Sequence, residues 1–219
     1  MNTFIACLFD LDGTLIDTID DLAAACEQVL TEFGCGNADG SAVHTRDEYR
    51  QFVGNGVRKL VERAFGDRAV AEEIHARFLE IYNDNCKVKT APYEGIIPLL
   101  DELKARGIVM GVVTNKPEEQ ARFLANAFFA EYEFRCVYGS TADRPNKPDP
   151  ASLRMALSDC DAVPDTTLFV GDSNVDVQTA HNGGLICAGA AWGFRGREEL
   201  YREGAEIVVD HPRDLLRYF

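Results

Sequence analysis

Phe4-Ile5-Ala6-Cys7-Leu8-Phe9-Asp10-Leu11-Asp12-Gly13-Thr14-Leu15 starts as an apolar run and breaks into two carboxylates and a glycine. The run over 5–9 reads as a strand buried on both faces, the kind found inside a parallel sheet. Such a strand does not tolerate an unpaired charge, so Asp10 and Asp12 belong at and just past its carboxyl end. Ligands of open α/β sheets bind at that edge. Gly13 supplies backbone angles that turn the chain away from the sheet.

Two carboxylates this close repel unless a cation or a shared proton intervenes. Oxygen ligands suit a hard ion, and Mg2+ takes one or two carboxylates together with waters and a phosphate. A bare D-x-D is also compatible with a capped turn after a core strand, or with a glycosyltransferase-type metal site. Matching polar residues further along the chain decide between these readings.

Composition narrows the field. The chain has 219 residues, 46% of them apolar, enough for one domain or a core with a modest insertion. A formal net charge of -14 leaves no basic surplus for nucleic-acid backbones and requires local cations for any anionic substrate. No apolar run reaches the length of a membrane span, and the N-terminus runs straight into the strand without a cleavable leader. Cys7, Cys26, Cys35, Cys86, Cys136, Cys160 and Cys187 are scattered, odd in number and free of C-x-x-C spacing. They read as reduced thiols of a cytoplasmic protein.

After the opening strand, helices are expected over 17–33, from near Arg46 behind the capping box Thr45-Arg46-Asp47-Glu48, over 57–65 and over 69–86. The pattern then alternates. Helices over 96–106, from Pro117, over 150–159 and over 175–181 separate strands at 108–113, 134–138, 167–170, 185–188 and 206–209. Alternation of this kind predicts an α/β fold with a mainly parallel sheet. The helical block interrupts it after the first strand and reads as an insertion, giving a core of 1–15 and 88–219 and a helical domain of 16–87.

Three later segments echo the first. The second strand ends in Thr114-Asn115-Lys116, where a hydroxyl precedes N–H groups entering a helix; this suits a phosphate oxygen or an ordinary N-cap. Lys147 stands between prolines in Asn146-Lys147-Pro148-Asp149-Pro150, which restricts the backbone so that the side chain can be held inward as a point charge. The fourth strand breaks into Gly171-Asp172-Ser173-Asn174-Val175-Asp176, with two acids one helical turn apart.

These four segments, in this order, are similar to the signature motifs of the haloacid dehalogenase superfamily, and the helical insertion resembles the C1 cap of its phosphoglycolate phosphatase-like branch. The resemblance implies a Rossmann-like parallel-sheet core with an all-helical cap. It implies a Mg2+-dependent phosphatase in which Asp10 attacks phosphorus and Asp12 serves as acid and base. Mg2+ would be held by Asp10, the Asp12 carbonyl and Asp172, with Asp176 and Ser173 orienting that shell. Thr114, the Asn115 amide and Lys147 would hold the phosphoryl oxygens. Within the cap, Val53-Gly54-Asn55-Gly56 and the following helix match more loosely, making Asn55, Arg58 and Lys59 the candidates for substrate contact. Asn182-Gly183-Gly184 departs from the Ala-Gly pair common in relatives.

The implied partner is a small phosphorylated metabolite, phosphoglycolate first, with neither nucleic acid nor membrane, on a monomer or homodimer. A β-phosphoglucomutase-type transfer uses the same core, as do phosphatases for another sugar phosphate, a nucleotide or pyrophosphate. A receiver-type signalling domain also gathers acids, a Thr and a Lys at a sheet edge, but the long insertion and Asp12 count against it. Trp192-Gly193-Phe194 follows the fifth strand and suits either the border of the site or a surface loop with an apolar anchor.

Overall fold

The computed structural model describes residues 4–66 and 68–219. Residues 1–3 and 67, which fall in the expected core and helical segments, lie outside the described residues. The chain divides into two compact units, Met1–Asp17 with Pro92–Phe219, and Thr18–Ala91.

The first unit opens with strand β1, Ala6–Phe9. Successive side chains on a strand point to opposite faces, and Cys7, Leu8 and Phe9 are all fully buried, so both faces of β1 are covered. Ile5, expected inside the strand, stands just before it and is 55% exposed. Its backbone is nevertheless paired on both sides, with Thr166 and Val109.

The second unit contains helices α1 (Ile19–Glu32), α2 (Arg46–Phe52), α3 (Val57–Phe65) and α4 (Glu72–Asn85). Thr45 and Glu48 form the capping box expected at the start of α2. Leu22, Cys26, Val29 and Leu30 of α1, and Ile74, Phe78, Ile81 and Tyr82 of α4, are buried at three- and four-residue spacings. The rings of Phe78 and Tyr82 stack with centroids 5.7 Å apart. Buried Asp21 accepts hydrogen bonds from the N–H groups of Lys89 and Thr90 and from the Thr90 hydroxyl, tying the two ends of this unit together.

The first unit resumes with helix α5 (Ile96–Ala105), strand β2 (Val109–Pro117), helix α6 (Glu118–Phe129), β3 (Val137–Ser140), α7 (Ala151–Asp159), β4 (Thr167–Gly171), α8 (Asn174–Gly183), β5 (Ile186–Ala190), α9 (Gly196–Arg202) and β6 (Ile207–Val209). The six strands make one parallel sheet in the order β3-β2-β1-β4-β5-β6. β1 is central, and Phe9 is level with both Val112 and Val170, so the ladders of β1 to its two neighbours reach the same level. This α/β architecture with flanking helices is the expected one.

Two further details differ from the sequence reading. β3 starts later than 134, although backbone pairing to β2 already begins at Arg135 and Cys136. Helix α9 was not expected because Leu200 is its one buried residue and no apolar period marks it. Among the described residues no helix is long and apolar enough to cross a membrane.

Candidate active site

The carboxyl ends of β1, β2 and β4 carry the polar residues singled out in the sequence. Asp10 follows β1 directly, and its N–H donates to Val170 O at 2.8 Å, extending the β1–β4 ladder by one rung. Gly13 turns the chain at φ +88°, where a side chain is strained. Its missing Cβ also makes room: a carbon there would lie 2.4 Å from Asp172 Oδ2. The β2 register shifts between Val113 and Pro117, and Thr114, Asn115 and Lys116 are all buried across that irregular stretch.

Asp10, Asp172 and Asp176 each bring a carboxylate oxygen within 4.8 Å of the others, and all three are buried. Lys147 Nζ lies 2.9 Å from Asp10 Oδ1 and 2.6 Å from Asp176 Oδ1. Burial works against the ammonium, but Asp10 and Asp176 outweigh it and hold its pKa above the ordinary lysine value. Burial raises the Asp10 carboxyl to about 6, against the pull of Lys147. It holds Asp172 well above the usual carboxylate range, with Asp176 and Asp10 adding to the effect.

The inward lysine expected from the prolines is therefore present, and its peptide to Pro148 is cis. The Asn115 side chain brackets it: Lys147 N–H donates to Asn115 Oδ1 at 2.8 Å, and Asn115 Nδ2 donates to Lys147 O at 3.1 Å. Asn182 Nδ2 donates to the Pro148 carbonyl and supports the same turn.

Asp176 is fully engaged. Besides Lys147, its Oδ2 accepts from the N–H groups of Asp172 and Ser173 and from Ser173 Oγ at 2.7 Å. Asp172 Oδ2 accepts from Phe194 N–H at 2.7 Å, and Thr14 Oγ1 lies 3.5 Å from Oδ1. Three buried carboxylates against one ammonium leave negative charge uncompensated, and every outstanding donor is oxygen. That donor set of Asp10, Asp172 and Asp176 fits a hard divalent cation.

Asp12 stands apart from this cluster. Both its carboxylate oxygens are taken by Lys116 Nζ, at 3.1 and 3.2 Å. Nothing in the sequence around Lys116 marks this pairing. The Trp192-Gly193-Phe194 loop proves to border the site: Trp192 Nε1 donates to Thr14 O at 3.0 Å, and Phe194 holds Asp172. Gly193 packs so tightly that a Cβ would lie 2.3 Å from Asp172 Cβ and 2.4 Å from Gly13 O.

Asn55, Arg58 and Lys59 lie in the helical unit, each engaged with a neighbour. Asn55 Oδ1 accepts from Arg63, Arg58 pairs with Glu72 and Lys59 with Glu62. Arg58 and Lys59 are exposed.

The model of the haloacid dehalogenase-like hydrolase family matches residues 7–190. A phosphoglycolate phosphatase of Pseudomonas putida KT2440 is 36% identical over 95% of this chain and 77% of its own length. An N-acetylmuramic acid 6-phosphate phosphatase of Pseudomonas aeruginosa PAO1 is 34% identical over 96% of this chain and 92% of its own. Among solved structures, a predicted phosphoglycolate phosphatase from Haemophilus somnus 129PT superposes with a TM-score of 0.87 at 26% identity, covering 99% of this chain and 98% of that one.

Proposed function

The chain belongs to the haloacid dehalogenase-like hydrolases, and from that premise we propose that this phosphoric monoester hydrolase dephosphorylates a small metabolite through an aspartyl-phosphate on Asp10, with Mg2+ as cofactor. The observation that carries the reading is Lys147 at 2.9 Å from Asp10, inside a buried cluster whose facing acid, Asp172, comes from another strand.

Asp10 Oδ bonds to phosphorus as the ester P–O bond breaks, and the departing oxygen takes its proton from Asp12. Asp12 then accepts a proton from the water that attacks phosphorus, and the bond to Asp10 breaks. Lys147, the Thr114 hydroxyl and the Asn115 amide hold the equatorial oxygens, where transition-state charge accumulates. Asp10, the Asp12 carbonyl and Asp172 would hold Mg2+, which would supply the positive charge a phosphate dianion needs beside these acids. Asp176 and Ser173 fix Asp172 and Lys147 in place.

Phosphoglycolate is the first substrate to test. The substrates in the names of the two Pseudomonas relatives both carry a carboxylate as well as a phosphate, so the panel is weighted towards phosphorylated carboxylic acids. The helical segment is proposed as the cap domain, with Asn55, Arg58 and Lys59 as its candidate substrate contacts. A reducing compartment, the cytoplasm, suits the seven free cysteines.

The test is phosphate release from a panel of phosphorylated metabolites with Mg2+, with chelator, and with Asp10→Asn. Release that requires Mg2+ and is lost in the variant supports the proposal. Persistence in Asp10→Asn removes Asp10 from the reaction, and isomerised sugar phosphate without free phosphate would instead indicate a mutase.

A further inference from the structure

Asp10 and Asp12 are two residues apart, yet their carboxylates are held by different lysines. Lys147 serves Asp10 and Asp176, whereas Lys116 Nζ grips both oxygens of Asp12. The Lys116 side chain is 1% exposed and that of Asp12 is 13% exposed, so the pair is nearly dry. A buried ion pair is a poor stabiliser, because apolar residues of the same volume serve the fold as well or better. What such a pair does supply is direction. The Lys116 N–H also donates to the Thr114 hydroxyl at 3.3 Å, which ties the ammonium's strand end to a proposed phosphate-binding group.

We propose that Lys116 is a positioning residue that fixes the direction in which the Asp12 carboxyl delivers its proton to the leaving oxygen. The inference rests on the proposed role of Asp12 as acid. With both Asp12 oxygens on one ammonium, one oxygen can carry the proton while the other keeps its hydrogen bond. The carboxyl then stays aimed along a single line during the transfer. Proton placement of this kind accelerates a step by roughly 100-fold or more when the leaving group is a poor one. It matters little when the leaving oxygen departs as a stabilised anion.

The test compares kcat/KM, which covers the steps up to departure of the alcohol, for two esters on the Mg2+-loaded full chain. One is nitrophenyl phosphate. The other is an alkyl phosphate whose alcohol carries no charge, so that a direct contact with Lys116 is not mistaken for positioning. Lys116→Met is expected to lose about 100-fold on the alkyl ester and no more than several-fold on the nitrophenyl ester. Asp12→Asn should show the same selectivity, and Lys116→Arg should restore much of the alkyl rate. Equal losses on both esters in Lys116→Met, or none on either, would overturn the proposal. If Asp12→Asn is selective and Lys116→Met is not, the acid role of Asp12 stands and positioning by Lys116 fails. If Asp12→Asn shows no selectivity, both fall. Should Lys116→Met fold poorly, Lys116→Gln is judged by the same ratio of the two esters, in which any loss of folded protein cancels.

Discussion

Lys147 Nζ lies 2.6 Å from Asp176 Oδ1, with the two side chains 2% and 0% exposed. This contact fastens the loop after β3 to the helix after β4. It also puts the cluster's positive charge beside Asp10, because the same ammonium is 2.9 Å from Oδ1 of that residue. Removing it leaves three buried acids without a counter-charge. In metal-free protein, Lys147→Met is therefore expected to cost about 3–5 kcal/mol of stability, along with phosphatase activity. Urea denaturation in the presence of chelator measures the first and phosphate release the second.

Gly13 gives Asp172 its room. Adding a methyl group puts a carbon 2.4 Å from Asp172 Oδ2 at a φ of +88°. Gly13→Ala should push Asp172 aside and weaken divalent-cation binding by roughly 10–100-fold. Calorimetric titration of the metal-free protein with Mg2+ or Mn2+ reads this without reference to turnover. Unchanged affinity would separate Asp172 from the cation.

His75 in α4 is buried, and neither ring nitrogen has a hydrogen-bond partner. Burial lowers its pKa below the ordinary 6.5, and Arg58 adds to this against Glu72 and Glu62. A histidine whose folded pKa is depressed contributes stability that is present above 6.5 and lost as the pH falls through the folded value. The helical unit should therefore melt earlier near pH 5 than near pH 7.5. In His75→Leu that difference should shrink, because the proton no longer has a site to claim. Thermal scans of both proteins at the two pH values check it.

Asp21 ties Lys89 and Thr90 back to α1 through bonds of 2.8–3.0 Å. Asp21→Ala leaves two buried donors of Thr90 unanswered and should destabilise the helical unit by about 3 kcal/mol. Faster amide exchange within Thr18–Ala91, with the sheet amides little changed, is the expected signature.

Much of this architecture was legible because buried parallel strands read as apolar runs and stop abruptly where charge begins. Phe9-Asp10 and Gly171-Asp172 mark such stops, Val113-Thr114 marks the end of an apolar run within a strand that continues to Pro117, and the sheet brings all three to one edge. What the sequence hid was pairing across long separations. Lys116 looked like one more residue entering a helix until its contact with Asp12 was seen, and Asn115 gave no sign that its side chain cradles the Lys147 backbone. Trp192-Gly193-Phe194 suits both a site border and a surface loop by sequence, because a backbone N–H reaching Asp172 leaves no mark on residue type. Helix α9 escaped for a related reason: a mostly solvated helix has no apolar stripe to read.

The central claim is that Asp10 takes the phosphoryl group. Its most direct test is to quench the enzyme in acid during turnover, digest it, and locate the phosphoryl group by mass spectrometry. The account predicts the label on the peptide carrying Asp10, absent from Asp10→Asn. Label on another residue, or undiminished turnover by Asp10→Asn, would contradict it.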